Sequence, residues 1–374
     1  MVFAGAALSV LSVASLGSLW QQAQAQQPSP VPSKPPAAGN IVMVAPTDTI
    51  AAIQTKLNSV PAAGTLAFPA NSAFNFNGRT VRGKDNVTVW ADGVVTINGA
   101  PGPGTAGAFD FGGMSNWSVR GRAIGAGFFF NGSLVNATSA RNFLIGNCVF
   151  NSTPSNGLDG SAIRLTNASF GQIVSCDFNT CGGNVLGMYN LDNITFDSLV
   201  MPGALSQPFG IVQGTDTNRG RNIKLINSVI SGWSRGGFET GNSDDNTLGY
   251  FKDLLIDNCH FIDPKGPVKD GFGAISIVTR GQVGTRITNN YLRLGSKYGT
   301  AYSEAIEYDS KAQAATISNN LIDGFTTPFA MYDLGGVGSG NKLWNSSAHL
   351  PASIGYQILT AQPAEPAKPV RTII

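Results

Sequence analysis

The sequence predicts an all-β solenoid: a right-handed, single-stranded parallel β-helix with three strands per coil, behind a short N-terminal capping α-helix. Three observations carry this. An apolar run closed by an Asn-containing turn recurs, with its closing apolar residues at 150, 178, 200, 230, 261, 292 and 322, a spacing close to thirty residues that is the signature of stacked repeats. A further short apolar run falls between most copies, making a third strand in each coil. Finally, only 12% of the 374 residues are charged and 46 are Gly, a composition suited to short strands and tight turns rather than amphipathic helices.

Taken in order, Val2 to Leu19 form an apolar, Ala/Ser/Leu-rich run followed by Ala23-Gln24-Ala25, the small-x-small pattern of a signal-peptidase site. Residues 1–25 therefore read as a signal peptide, the protein as secreted or periplasmic, and the mature chain as having no membrane span. A Pro- and Ser-rich linker over 26–40 follows, and a similar stretch over 359–374 reads as a flexible C-terminal tail. The β-helix domain occupies 41–358. At its start, Ile50, Ile53, Leu57 and Val60 share one helical face, with Thr47 or Asp48 as the expected N-cap.

The repeated unit is clearest in Leu144-Ile145-Gly146-Asn147-Cys148-Val149-Phe150, Ile223-Lys224-Leu225-Ile226-Asn227-Ser228-Val229-Ile230 and Ile317-Ser318-Asn319-Asn320-Leu321-Ile322. The third run contains Ile163, Ile211, Phe238, Ile275, Ile306 and Phe329, which strand alternation stacks in one inward column. The neighbouring outward column then holds Arg164, Val212, Glu239, Ser276, Glu307 and Ala330, and turn asparagines can ladder along the axis.

A capping helix, then Gly64-Thr65-Leu66-Ala67-Phe68-Pro69-Ala70, then x-Ile-x-Asn-Asn-x-Leu/Phe coils resembles the pectate-lyase-like right-handed β-helix superfamily over residues 47–347. That superfamily includes polysaccharide lyases, glycoside hydrolases, uronan epimerases, phage tailspikes and adhesins, so the resemblance specifies fold more than function. Some relatives trimerise, so monomer and homotrimer both stay open. The resemblance implies a site on the outer face of the third strand. Gly214-Thr215-Asp216 and Asp244-Asp245 look like polygalacturonase motifs but follow that strand, and there is no Gly-His-Gly or Arg-Ile-Lys. The Asp-Pro-His-Asp string of epimerases is also missing, with Asp263-Pro264-Lys265 the nearest match.

Composition excludes other classes. A net charge of +2 with scattered Lys and Arg argues against nucleic acid. Cys148, Cys176, Cys181 and Cys259 lack Cys-x-x-Cys spacing, which argues against zinc. Cys148 and Cys176 occupy equivalent repeat positions, as a disulfide or as stacked thiols. Sequons such as Asn86-Val87-Thr88 and Asn193-Ile194-Thr195 are explained by turn composition.

Chemistry is expected where charge concentrates. Glu239 and Glu307, two rungs apart, have backbones about 9.6 Å apart at strand spacing, close to the 6.5 to 9.5 Å carboxyl separation of inverting glycoside hydrolases. Around them, Asp216, Asp244, Asp245, Arg280, Asp309 and Lys311 follow the strand, while Asp270, Lys297, Tyr298, Tyr302 and Glu304 precede it. The expected catalytic set is Glu239, Glu307 and Asp309. Arg164, Asp244, Asp245, Arg280, Lys311 and Tyr302 are expected to bind a polysaccharide. No cofactor or metal is needed for hydrolysis. A lyase would instead use Ca²⁺ on carboxylates and an Arg, Lys or Tyr base, and a non-enzymatic adhesin is the third reading. Trp233 and Tyr308 are either sugar platforms or packing, with Tyr308 facing inward by alternation; His260 reads as a surface or stacking histidine.

Overall fold

The computed structural model describes residues 40–99, 107–151, 161–179, 186–203, 209–213, 220–233, 236–242, 251–264, 273–277, 283–295, 304–308, 315–331, 336–347 and 351–374. Residues 1–25, expected as a signal peptide, and most of the expected linker lie outside them. The chain opens with a short strand, Ile41–Met43, and a capping helix, Ile50–Ser59, whose Ile50, Ile53 and Leu57 are buried. Its N-cap is Thr49 rather than Thr47 or Asp48, because Thr49 Oγ1 accepts the Ala52 N–H at 3.2 Å. Asp48 instead caps the preceding turn and pairs with Lys56 at 2.5 Å.

All named strand pairs are parallel and form three faces. The first face runs from Gly64–Phe68 to Ala315–Ser318, the second from Ser72–Asn75 to Leu321–Asp323. The third is a ten-stranded sheet from Val81–Arg82 to Thr327–Met331. The strand Gly336–Trp344 pairs with both of the first two faces and joins them into one sheet. Each coil buries one apolar stripe per face, so the core extends with every repeat.

Asn at the corners is a conformational requirement as well as a hydrogen-bonding one. At the corner between the first and second faces, Asn147, Asn227, Asn258, Asn289 and Asn319 all take φ of 52 to 58°, the left-handed region that asparagine tolerates best after glycine. Side-chain bonds link neighbouring rungs here, as in Asn258 Nδ2 to Asn227 Oδ1 at 2.8 Å and Asn227 Nδ2 to Asp197 Oδ1 at 2.9 Å. A second ladder, Asn75, Asn98, Asn131, Asn151 and Asn179, follows the ends of the second-face strands. The sequon residues Asn86 and Asn193 sit in such ladders with φ of 56 and 53°. Inside the corner, Cys148 and Cys176 are free buried thiols, and burial raises the Cys148 thiol well above its usual range.

Aromatic rings stack at the rung spacing. Phe130, Phe150 and Phe178 lie 4.9 and 5.0 Å apart and nearly coplanar. Another stack, Phe111, Trp117 and Phe143, ends against Gly171, where a Cβ would stand 2.1 Å from the Phe143 ring. Gly171→Val should therefore lower stability by about 1–3 kcal/mol through overpacking. An unchanged denaturation midpoint would show that the ring can move aside freely.

The third face differs from the sequence expectation in one register. Its inward column is Ile163, Leu186, Phe209, Phe238, Ile275, Ile306 and Phe329. Ile211 is also buried, but it pairs with Thr240, two residues further along. The strand Leu186–Tyr189, in the shortest coil, has no counterpart in the expected third runs. On the second face, Met201 rather than Val200 closes that coil inward, paired with Ile230.

Candidate active site on the third face

Adjacent strands on this face pair Arg82 with Asp110, Asp110 with Asn136, Asn136 with Arg164, and Arg164 with Gly187. The column continues through Gly210, Glu239, Ser276, Glu307 and Ala330. The outward column expected from alternation is thus present, with Gly210 in the rung assigned to Val212. Glu239 and Glu307 stand two rungs apart across Ser276, as expected, which sets their backbones about 9.6 Å apart. Both are half-buried. Ser276 is fully buried and donates its hydroxyl to the Gly273 carbonyl at 3.4 Å, so the residue between the two acids is small and turned to its own backbone.

Two glycines, Gly187 and Gly210, separate Arg164 from Glu239. The backbones of a cation and an acid are thereby held about 14 Å apart, three rung spacings with two side-chain-free rungs between them. Upstream, Asn136 Nδ2 donates to Asp110 Oδ1 at 2.8 Å, so the polar column continues toward the N-terminal coils.

Electrostatics single out a residue that the strand pattern alone left in the preceding turn. Glu304 is the first residue of the strand Glu304–Tyr308. Burial raises its carboxyl to about 7, and the charge on Glu307 adds to the effect. Its Oε2 is enclosed with no hydrogen-bond partner among the described residues, so no donor stabilises the ionised form. A carboxyl that keeps its proton near neutrality beside a carboxylate is the arrangement that separates acid from base roles. The strand pattern gives no signal for it: with a side-chain period of two, Glu304 has the parity of Ile306 rather than that of Glu307.

Asp309, Asp244, Asp245, Arg280, Lys311 and Tyr302 lie outside the described residues, as do Asp216, Asp270, Lys297 and Tyr298. Among the described residues no three His, Cys, Asp or Glu side chains converge on a metal-sized space. Trp233 and Tyr308 are fully buried and pack in the core, so neither presents a ring to a sugar. His260 is 4% exposed and stacks edge-on against Tyr291, at 5.3 Å between ring centres, on the second face.

No family model and no curated protein matches the sequence. Among solved structures, a double mutant of the tailspike protein of E. coli bacteriophage HK620 matches with a TM-score of 0.56 at 12% identity, over 85% of this chain. The likeness spans 62% of the tailspike chain. PfbA, a surface adhesin of Streptococcus pneumoniae, matches with a TM-score of 0.53 at 13% identity, over 79% of this chain and 86% of the adhesin. The chain has the right-handed parallel β-helix fold. At these identities the likeness carries the coil architecture of this β-helix and nothing of its chemistry. No helix among the described residues is long and apolar enough to cross a membrane.

Proposed function

We propose that this β-helix is an exported enzyme that cleaves glycosidic bonds of a polysaccharide by hydrolysis on its third face. The observation that carries the reading is the raised Glu304 carboxyl beside Glu307, two rungs from Glu239. Glu304 gives its proton to the glycosidic oxygen as the bond to the anomeric carbon breaks. Glu239 takes the proton of the attacking water, and the Glu307 carboxylate offsets the positive charge that develops on the sugar ring. About 9.6 Å separates the backbones of Glu239 and Glu307, which leaves room for a water beside the base, and the stereochemistry of the product tests inversion. Arg164, at the far end of the glycine floor, and Arg280, Asp244, Asp245, Lys311 and Tyr302 contact the substrate in this reading, and Asp309 belongs to the catalytic set.

The test is to incubate the purified protein with neutral and uronic-acid polysaccharides, following reducing ends and unsaturated-uronate absorbance together. Reducing ends should rise without absorbance, and Glu239→Gln should lower kcat by about 10²–10⁴-fold. Absorbance would convert the reading to a lyase. The likeness to a surface adhesin supports a second reading, binding without cleavage; silence across the panel, with retained saccharide binding, would select it.

A further inference from the structure

The last residues of the chain carry a pattern that the active face does not use. Pro363, Pro366 and Pro369 recur every third residue. Proline holds φ near −65° and favours the polyproline-II helix, which has three residues per turn. One edge of such a helix would carry Gln362, Glu365, Lys368 and Arg371. Gln362, Glu365 and Arg371 meet the outer surface of the solenoid. Gln362 donates to Asp323 Oδ1 at 3.4 Å, Glu365 pairs with Arg293, and Arg371 Nη1 lies 2.7 Å from Asp177 Oδ1. His260 feels the same edge: burial lowers its basicity, with Glu365 opposing and Lys368 and Arg293 reinforcing.

The spacing fits. Asp323, Arg293, His260 and Asp177 stand on the outward side of the second face, and the registers place Asp323 and Asp177 five rungs apart. Five rungs span about 24 Å, and nine polyproline-II residues span about 28 Å, enough to cross them on a slight diagonal. Beyond Arg371, the Thr372 N–H donates to Ser198 Oγ at 2.8 Å and its hydroxyl to Asp197 Oδ2 at 2.8 Å, while Ser175 donates to the Thr372 carbonyl. Ile374 is seated over Gly146, where a Cβ would stand 2.0 Å from its Cδ1. Outward-facing His260 and Tyr291 are only 4% and 2% exposed on this same face.

We propose that the outer surface of the second face is a docking groove for a polyproline-II strand bearing a charged or amide side chain every third residue, and that its resident occupant is residues 360–374 of the same chain. The strand runs back against the direction of the stack. It ties the coil at Asp323 to the adjacent pair of coils at Asp177 and Gly146, which the Asp323 coil does not touch in a solenoid.

Trimming of the full chain by carboxypeptidase Y tests this. The docked strand should release its last residues at least tenfold more slowly than a free peptide of residues 360–374. Gly146→Val should speed release about tenfold. Gly146 faces outward with an ordinary backbone, so the added methyls meet the strand and keep the test decisive even if charge changes perturb folding. Arg371→Glu should also speed release, and the Asp177→Arg, Arg371→Glu pair should slow it again. Release from the unmodified chain at the free-peptide rate would overturn the proposal, as would an unaffected Gly146→Val. Protection that grows with protein concentration would overturn it too, since the occupant would then be a second copy's segment.

Discussion

Asn320→Ala should lower the unfolding free energy by on the order of 4 kcal/mol, the largest stability effect expected of a single side chain here. Asn320 is 1% exposed and uses every donor and acceptor of its amide. Its Nδ2 donates to the Ile287 carbonyl at 2.9 Å and to Asn341 Oδ1 at 3.0 Å. Its Oδ1 accepts from the Asn290 backbone and Nδ2, both at 3.0 Å. Truncation leaves those partners buried and unpaired, each at about 1–3 kcal/mol before any repairing. Asn258→Gly removes a rung of the exposed ladder, keeps the left-handed backbone accessible, and should cost less than about 1 kcal/mol. Urea denaturation of the two variants side by side decides the point; equal losses would mean that burial is not what makes the inner ladder strong.

Glu304→Gln should produce the largest functional effect, lowering kcat by about 10²–10⁴-fold and removing the alkaline limb of the pH profile. In the unmodified protein the acid is protonated below its pKa, so kcat/KM on a cleaved polysaccharide should fall as pH rises through about 7. The stability sign follows from the same shift. A carboxyl raised in the folded state contributes stability that is fully present below the ordinary value of 4.5 and is lost as pH rises through about 7. Above that pH, Glu304→Gln should therefore be the more stable protein, and denaturant midpoints measured on both sides of neutrality check it. A pH profile unchanged by the substitution would remove Glu304 from the acid role while leaving Glu239 and Glu307 to be tested separately.

Much of the architecture is legible in the chain itself. Apolar spacing near thirty residues, Asn at most of the corners, and the alternation that sets Glu239, Ser276 and Glu307 in line are local or periodic properties. They survive translation from sequence to coil because each repeat meets only its neighbours. The thirty-residue frame slips where a coil is short: between Phe178 and Met201 the third strand is Leu186–Tyr189, which the apolar pattern did not mark, and Gly210 rather than Val212 takes the outward rung. Glycines carry no hydrophobic signal, so the floor between Arg164 and Glu239 could not be read from the pattern of apolar residues.

The sequence by itself determined the coil, its three faces and the column of acids, because those follow from side-chain period and turn chemistry. Tertiary structure alone decided which acid keeps its proton, since Glu304 differs from other glutamates only in how much water its neighbours exclude and in the charge beside it. It also decided the fate of the last fifteen residues. Their composition denies them a core of their own, and they have no regular secondary structure, yet Asp323, Arg293, Asp177 and Gly146, brought onto one surface by stacking, give their proline-spaced side chains a place to bind.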